Sequence, residues 1–168
     1  MKWSGIKIAL FVFVACTLRV SGQASFRVEI IIPEAAQIRL KPGTANTINF
    51  NFASENQLES GLTSGKAATL QVSSNRLWVA SAQAESPYFT ITETGDLSDM
   101  PSTVLSLRAG TGLTPYLPLS TVGVPLKTGA KGLFGGQNEF DVDFKASPSH
   151  DQQAGSYVMN VLFTVSPQ

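Results

Sequence analysis

Residues 140–145 read Phe-Asp-Val-Asp-Phe-Lys, and residues 157–165 read Tyr-Val-Met-Asn-Val-Leu-Phe-Thr-Val. Apolar side chains recur at every second position in both stretches, with mostly charged, polar or smaller neighbours between them. Because alternate side chains of a β-strand point to opposite faces, this period of two predicts two half-buried strands. We expect their apolar faces to line the core of the molecule.

The same alternation extends outward from these stretches to earlier segments of the chain. Residues 26–32 place Phe, Val, Ile and Ile on one face, and residues 48–52 place Ile, Phe and Phe on one face. No window after residue 24 has a strong helical period, so residues 53–65 are predicted to be a loop or a short helical turn. Shorter strands are predicted at residues 68–72, 76–82, 88–92, 104–108 and 119–126.

The polar break Ser-Ser-Asn at residues 73–75 predicts either a hairpin or one bent strand from the segments on its two sides. Short strands separated by Gly, Pro, Ser and Thr predict an all-β fold, specifically an Ig-like antiparallel two-sheet β-sandwich. We expect six large side chains to be mostly buried in this sandwich: Trp78, Phe140, Phe144, Tyr157, Val161 and Phe163.

The composition is typical of one globular domain and excludes several classes of function. The chain has 168 residues, of which 43% are hydrophobic and 14% are charged, so it can bury a sizeable core. Its 12 basic and 12 acidic residues provide no basic footprint for nucleic acid. One cysteine and one histidine exclude a zinc finger and a disulfide framework. We therefore expect no nucleic-acid partner and no cofactor.

The first residues of the chain predict an export signal. Lys2 and Lys7 precede an apolar run at residues 8–15, which is too short to cross a bilayer core of roughly 30 Å. Residues 20–22, Val-Ser-Gly, then match the small residues before a signal-peptidase cut. We expect a signal peptide at residues 1–22 and export to the periplasm, the outer surface or the extracellular space.

Cleavage before Gln23, or two residues later at Ser25, leaves a single sandwich domain at residues 23–168 with no membrane span. The cut before Gln23 leaves 9 basic and 12 acidic residues, which is a net charge of about −3. It also removes Cys16, so the mature chain has no thiol. In a second interpretation, residues 13–16, Phe-Val-Ala-Cys, form a bacterial lipobox and Cys16 becomes a lipidated first residue.

Two groups of acidic residues are candidates for calcium binding. Glu139, Asp141 and Asp143 alternate along one predicted strand and therefore share a face, where their oxygens can hold a calcium ion. The alternative interpretation is a solvated outer face whose like charges discourage edge pairing. A second group surrounds a predicted turn and is either a calcium loop or an acidic turn: Glu93, Asp96 and Asp99 around Gly95.

No constellation of residues predicts catalysis, and we assign no catalytic, cofactor-binding or metal-binding residue. His150 precedes Asp151, but no Gly-x-Ser-x-Gly motif supplies a nucleophile, so His150 is interpreted as an exposed loop residue. Tyr116 and Phe134 lie in glycine-rich loops and are the two aromatic residues that we expect to contact any ligand. Together with Trp78 and Tyr88 they are candidates for a sugar-stacking platform, although Trp78 is interpreted as a core residue.

Two passages of the sequence resemble bacterial surface proteins. Residues 70–82, Leu-Gln-Val-Ser-Ser-Asn-Arg-Leu-Trp-Val-Ala-Ser-Ala, resemble secreted Ig-like domains of such proteins. Residues 154–157, Ala-Gly-Ser-Tyr, and the alternating strand after them resemble the final strand of spore-coat-U-type proteins and of chaperone-usher pilins. In those pilins a glycine stands 14 places from the end, as Gly155 does here. Pro167 replaces their penultimate aromatic residue, and the disulfide that many of them have is absent.

These features predict a non-enzymatic structural or adhesive protein of the bacterial cell surface, either a fimbria-like subunit or an accessory surface domain. A soluble carbohydrate-binding module is the alternative. In the first interpretation of residues 26–32, they form a strand that closes the sandwich of their own domain. We also hypothesise that they insert into another copy or another surface subunit, because strand addition combines backbone hydrogen bonds with side chains that fill pockets.

Export with removal of the leader is directly testable. Intact-mass analysis of protein from its native envelope should show a chain that begins at Gln23 or Ser25. A diacylglycerol-modified Cys16 at the first position would contradict this prediction and establish a lipoprotein.

Overall fold

The structure, a computed structural model, describes residues 27–110 and 114–168. The predicted signal peptide and its cleavage sites lie outside these residues. Residues 27–32 belong to a unit distinct from residues 33–168 and form no regular element. The predicted strand over residues 26–32 is therefore wrong for its described part, because a strand requires a hydrogen-bonded neighbour and none is assigned there.

The unit at residues 33–168 consists mainly of short β-strands. Its described residues include one helix, α1 (Glu55–Ser60), which lies within the segment predicted to be a loop or helical turn. They also include two short 3-10 turns, Ser102–Val104 and Gly136–Asn138. The described strands are β1 (Ala36–Leu40), β2 (Leu62–Ser74), β3 (Trp78–Ala84), β4 (Tyr88–Ile91), β5 (Leu97–Pro101), β6 (Leu105–Ala109), β7 (Leu117–Pro118), β8 (Val124–Gly129), β9 (Glu139–Ala146), β10 (Tyr157–Val158) and β11 (Val161–Pro167).

These strands form an antiparallel β-sandwich, which confirms the predicted all-β class. One layer is a five-stranded sheet in the order β1-β2-β9-β6-β7. The other layer contains two three-stranded sheets, β11-β3-β8 and β10-β4-β5. These two sheets follow one another along the chain, since β3 leads into β4 and β10 leads into β11, and a bond from Glu85 N to Asn160 O (3.0 Å) joins their ends.

The predicted hairpin or bent strand around residues 73–75 is wrong, because β2 and β3 belong to opposite layers. The polar residues at the break are bonded to other segments. Ser74 exchanges two backbone hydrogen bonds with Gly132 (2.9 and 2.8 Å), and the Asn75 side chain bonds to the backbone of residues 33–35. The break therefore carries the chain from one layer to the other.

Trp78 is the largest fully buried side chain at the centre of the sandwich. Its ring stacks on Phe140 of the facing sheet, with centroids 6.2 Å apart, and its Nε1 donates a hydrogen bond to Ala130 O (2.9 Å). The other inward positions of β3 are three buried alanines. Because alanine is small, the larger side chains of the facing sheet can pack closely against β3.

The predicted core is right for three of its six members and wrong for the other three. Trp78, Phe140 and Phe144 are buried. The other three are only half-buried: Tyr157, Val161 and Phe163. They lie on β10 and β11, which are edge strands, so the core covers them from one side only. Their side chains do have the predicted orientation, since Val161 and Phe163 pack against the core cluster.

The segment at residues 48–52 shows that alternation predicts a face more reliably than it predicts a strand. Ile48, Phe50 and Phe52 are half-buried and pack against the core, as the pattern indicates. The segment joins no described sheet, whereas β1 (Ala36–Leu40), which the pattern did not indicate, pairs with β2 along its whole length.

Gly129 is required by the position of Trp78. A Cβ atom at this residue would lie 2.1 Å from Trp78 Cζ2, so Gly129→Ala should destabilise the fold by about 1–3 kcal/mol through overpacking. Gly123→Ala is the matched control, because its nearest neighbours would be at an ordinary 3.7 Å. Urea unfolding of both variants checks this prediction, and equal stabilities would contradict the packing of the core described above.

Candidate functional site

The backbone of β11 presents an open hydrogen-bonding edge. At its two ends, Asn160 O accepts from Glu85 N and Gln168 N donates to Leu77 O (2.7 Å). Bonded positions alternate along an antiparallel pair, so the even-numbered residues of β11 bond to β3. No other described strand pairs with β11. The odd-numbered residues therefore direct their N–H and C=O groups away from β3, and three of them have both groups: Val161, Phe163 and Val165.

This edge has little of the protection that natural edge strands usually carry. β11 reads Val-Leu-Phe-Thr-Val-Ser-Pro and contains no charged residue, and only Pro167 at its end blunts it. By contrast, β8 contains Pro125, Lys127 and a register shift. β1 contains Arg39, and β5 contains Asp99 and a terminal proline. β7 and β10 are two residues long. Among the described strands, β11 is thus the long edge that is most receptive to another strand.

The side chains beside this edge are incompletely covered. β11 contacts β1, the edge strand of the opposite layer, so the two edges meet along one side of the sandwich. Ile38 of β1 and Val161, Phe163 and Val165 of β11 pack against the core but remain half-buried. A strand added beyond β11 would place its own alternate side chains over this apolar row.

The apolar segment at residues 28–32 directly precedes the first anchored residues of the sandwich unit. Val28, Ile30 and Ile32 are 68%, 79% and 75% exposed. In the sandwich unit, Asn75 Nδ2 donates to Pro33 O (2.7 Å) and Ala35 N donates to Asn75 Oδ1 (3.0 Å). These bonds, together with an ion pair between Glu34 and Arg76, fix residues 33–35 to the turn between β2 and β3.

Glu139, Asp141 and Asp143 lie on one face of β9, as the sequence predicts, and their oxygens are already occupied. Glu139 accepts from Lys41 Nζ (2.7 Å) and Gln71 Nε2 (2.8 Å). The carboxylate of Asp141 accepts from the Thr69 hydroxyl (2.8 Å) and faces Lys66 Nζ at 3.4 Å. Asp143 Oδ1 accepts from the backbone N–H of Lys66 (2.7 Å), and Oδ2 accepts from the Arg108 guanidinium (2.9 and 3.0 Å). A calcium ion would have to displace these partners.

The bond with Lys41 lowers the pKa of Glu139 and raises the pKa of Lys41; the hydrogen bond from Gln71 lowers the pKa of Glu139 further. Since the folded protein favours the ionised glutamate, this pair stabilises the fold above the ordinary pKa of a glutamate. The contribution is lost as the pH falls through the lowered pKa of Glu139. Because the pKa of Lys41 is also raised, Lys41 loses its charge only in strong alkali, and the pair persists up to that pH.

The remaining candidates for metal binding and catalysis do not converge. Asp96 lies in the tight turn between β4 and β5, where Gly95 has a φ of 76° and donates its N–H to Ile91 O (2.8 Å). Within residues 27–110 and 114–168, no three His, Cys, Asp or Glu side chains form a group that could hold a metal ion. His150 is exposed, and its Nε2 lies 3.9 Å from an oxygen of Glu59.

The two loop aromatic residues lie on the same face as the acidic row. The Arg39 guanidinium lies over the Phe134 ring at 3.9 Å, and the Arg108 guanidinium lies over the Tyr116 ring at 4.5 Å. Arg39 also bonds to Gln71 and Arg108 to Asp143, so both stacks join the polar network of the outer sheet. The sequence did not predict that Arg39 and Arg108 contact these rings, because the local pattern does not show which strands are neighbours.

Comparison with protein-family models finds no match, and a search of curated proteins also finds none. In the described part of the chain, no helix combines the length and apolar character needed to cross a membrane. The open edge of β11 and the polar face of the five-stranded sheet are the features of this chain that bear on its function.

Asp143 tests whether the polar network stabilises the fold. Its side chain is 5% exposed and pairs with Arg108, so Asp143→Asn, which removes the negative charge from this pair, should cost about 3 kcal/mol. Asp151→Asn, in an exposed loop, is the control. Urea denaturation curves at neutral pH compare the two, and a loss below about 1 kcal/mol for Asp143→Asn would contradict a structural role for the pair.

Proposed function

We propose that this protein is an exported, non-enzymatic structural subunit of the bacterial surface that assembles by β-strand addition. The acceptor is the open edge of β11, and the donor is the segment at residues 26–32 of another copy. The observation that carries the proposal is the uncharged β11 edge beside a half-covered apolar row.

The donor segment has the pattern that such an edge requires. Phe26, Val28, Ile30 and Ile32 occupy alternate positions, so one face of an added strand would be apolar throughout. This face would meet the half-buried row of β11, while the donor backbone would pair with the N–H and C=O groups of Val161, Phe163 and Val165. Specificity then comes from the side chains and affinity from the backbone bonds.

The energetic balance favours assembly only when the whole donor strand engages. Full burial of an aliphatic side chain is worth about 1.5–3 kcal/mol, so Val28, Ile30 and Ile32 together supply roughly 5–9 kcal/mol. Association and ordering of the segment offset much of this gain. A single charged residue on the apolar face of the donor should therefore abolish assembly.

Export is part of this proposal and is supported by the sequence alone, through the predicted signal peptide at residues 1–22. Assembly by strand addition also suits a mature chain without cysteine, because the added strand supplies the cohesion that a disulfide would otherwise provide. The resemblance of residues 154–157 and the strand after them to the final strand of pilins supports the same function.

Two substitutions within the donor segment separate strand addition from nonspecific association. Ile30→Asp places a charge on the apolar face and should convert assemblies of the mature protein into monomers. Ile31→Asp adds the same charge to a neighbouring exposed isoleucine on the other face of the strand and should leave assembly unchanged. Sedimentation velocity over a range of protein concentrations measures both variants against the unmodified chain.

Two results would overturn the proposal. One is a strictly monomeric unmodified protein at high concentration, and the other is an equal effect of the two substitutions. Circular dichroism melting of the variants shows whether the sandwich itself remains folded, as expected for substitutions at exposed positions.

A further inference from the structure

The two arginine–aromatic stacks place two aromatic rings over the outer face of the five-stranded sheet. In each stack the guanidinium covers one face of the ring, so the opposite face points away from the arginine. Phe134 and Tyr116 are both partly exposed. An aromatic ring held in this way offers a flat apolar surface on which the C–H face of a sugar can stack.

The face between the rings is positively charged although the mature chain is acidic. The three carboxylates of β9 each pair with one cation, Lys41, Lys66 or Arg108. Arg39 and Lys145 project from the same strands on the same face, so its basic side chains exceed these carboxylates by two. A local excess of one sign attracts a ligand of the opposite sign. The face therefore favours an anionic ligand.

Lys66 occupies this face in a strained conformation. Its φ is 50°, and it is the non-glycine residue with positive φ in the described part of the chain. The bond from its backbone N–H to Asp143 holds this conformation within the register shift between Ser64 and Ala68. The Lys66 side chain is 69% exposed. The ammonium group of Lys66 lies 3.4 Å from Asp141 Oδ2, on the face that carries the acidic row.

A groove of about 470 Å³ is lined by Leu133, the residue before Phe134, and its lining is mainly apolar with a few polar groups. Gln37, Ser73, Asn75 and Lys131 contribute amide, hydroxyl and ammonium groups to it. Its rim is fixed by the paired bonds of Ser74 with Gly132 and by the bond from Trp78 to Ala130. The groove is thus preformed and large enough for a small ligand.

We propose that this face binds an acidic polysaccharide whose sugar rings carry carboxylates. The groove and Phe134 hold one end of the glycan, and Tyr116 supports a second sugar ring. Arg39 and Arg108 are separated by three strand spacings and four residues along β9, or roughly 20 Å, which requires a chain of several sugars. The exposed ammonium group of Lys131, at the groove, pairs with a carboxylate of the glycan. This proposal is independent of strand addition, because the face belongs to the layer opposite β11.

The test uses a galacturonate hexamer and its methyl ester, which have the same backbone and differ in charge. Isothermal titration calorimetry with the mature protein should show binding of the acid at least tenfold tighter than binding of the ester. Phe134→Ala and Tyr116→Ala should each weaken binding at least tenfold. Tyr88→Ala is the matched control, since Tyr88 is 44% exposed on β4 in the other layer. Lys131→Gln should reduce the preference for the acid without abolishing binding of the ester.

Failure of the hexamer to bind, equal affinity for acid and ester, or equal weakening by Tyr88→Ala would each overturn the proposal. Equally tight binding of single-stranded DNA would also overturn it, because it would show attraction by charge alone. Melting temperatures confirm that each variant is folded, and the exposed Lys131→Gln variant keeps the test valid if an aromatic substitution destabilises the protein.

Discussion

The sheet β11-β3-β8 shares the covering of the five-stranded sheet with β10-β4-β5, and because it has three strands it is narrower than the sheet that it faces. The centre of the contact is tight: Trp78 fills it, stacks on Phe140 and is held by its bond to Ala130. Toward β1 and β11 the coverage decreases, and Ile38, Val161 and Phe163 remain half-buried. The same constraint that gives the sandwich a close-packed centre therefore leaves one side open.

The sequence predicts the strands better than it predicts their neighbours. Alternation at β9 and β11 places the correct side chains toward the core, because the two faces of a strand are encoded locally. It does not show that β11 is an edge strand, and this is why Val161 and Phe163 are less buried than expected. The missed signal is the absence of charge from residues 157–167, which is unusual for a long edge.

On the outer face too, the sequence predicts which side chains share a face of a strand but not which residues of other strands contact them. The sequence places Glu139, Asp141 and Asp143 on one face, but it cannot show that cations and donors from other strands occupy their oxygens. It also identifies Tyr116 and Phe134 as contact candidates from their loops. Their convergence on one sheet depends on the strand order β1-β2-β9-β6, which arises only from long-range pairing.

Intermolecular disulfide formation tests the central claim most directly. The chain's one cysteine, Cys16, is absent from a protein that begins at Gln23, so engineered cysteines are the sole thiols. One copy carries Ile31→Cys, and a second copy carries Leu162→Cys, Thr164→Cys or Ser166→Cys on the outward side of β11. Neighbouring strands lie about 4.8 Å apart, so at least one pair should form a disulfide-linked heterodimer under mild oxidation. Ser81→Cys, one strand further away on β3, should not. Strand addition would be contradicted if no β11 position links more efficiently than residue 81, or if Ile31→Cys and a β11 cysteine link only when both are in the same chain.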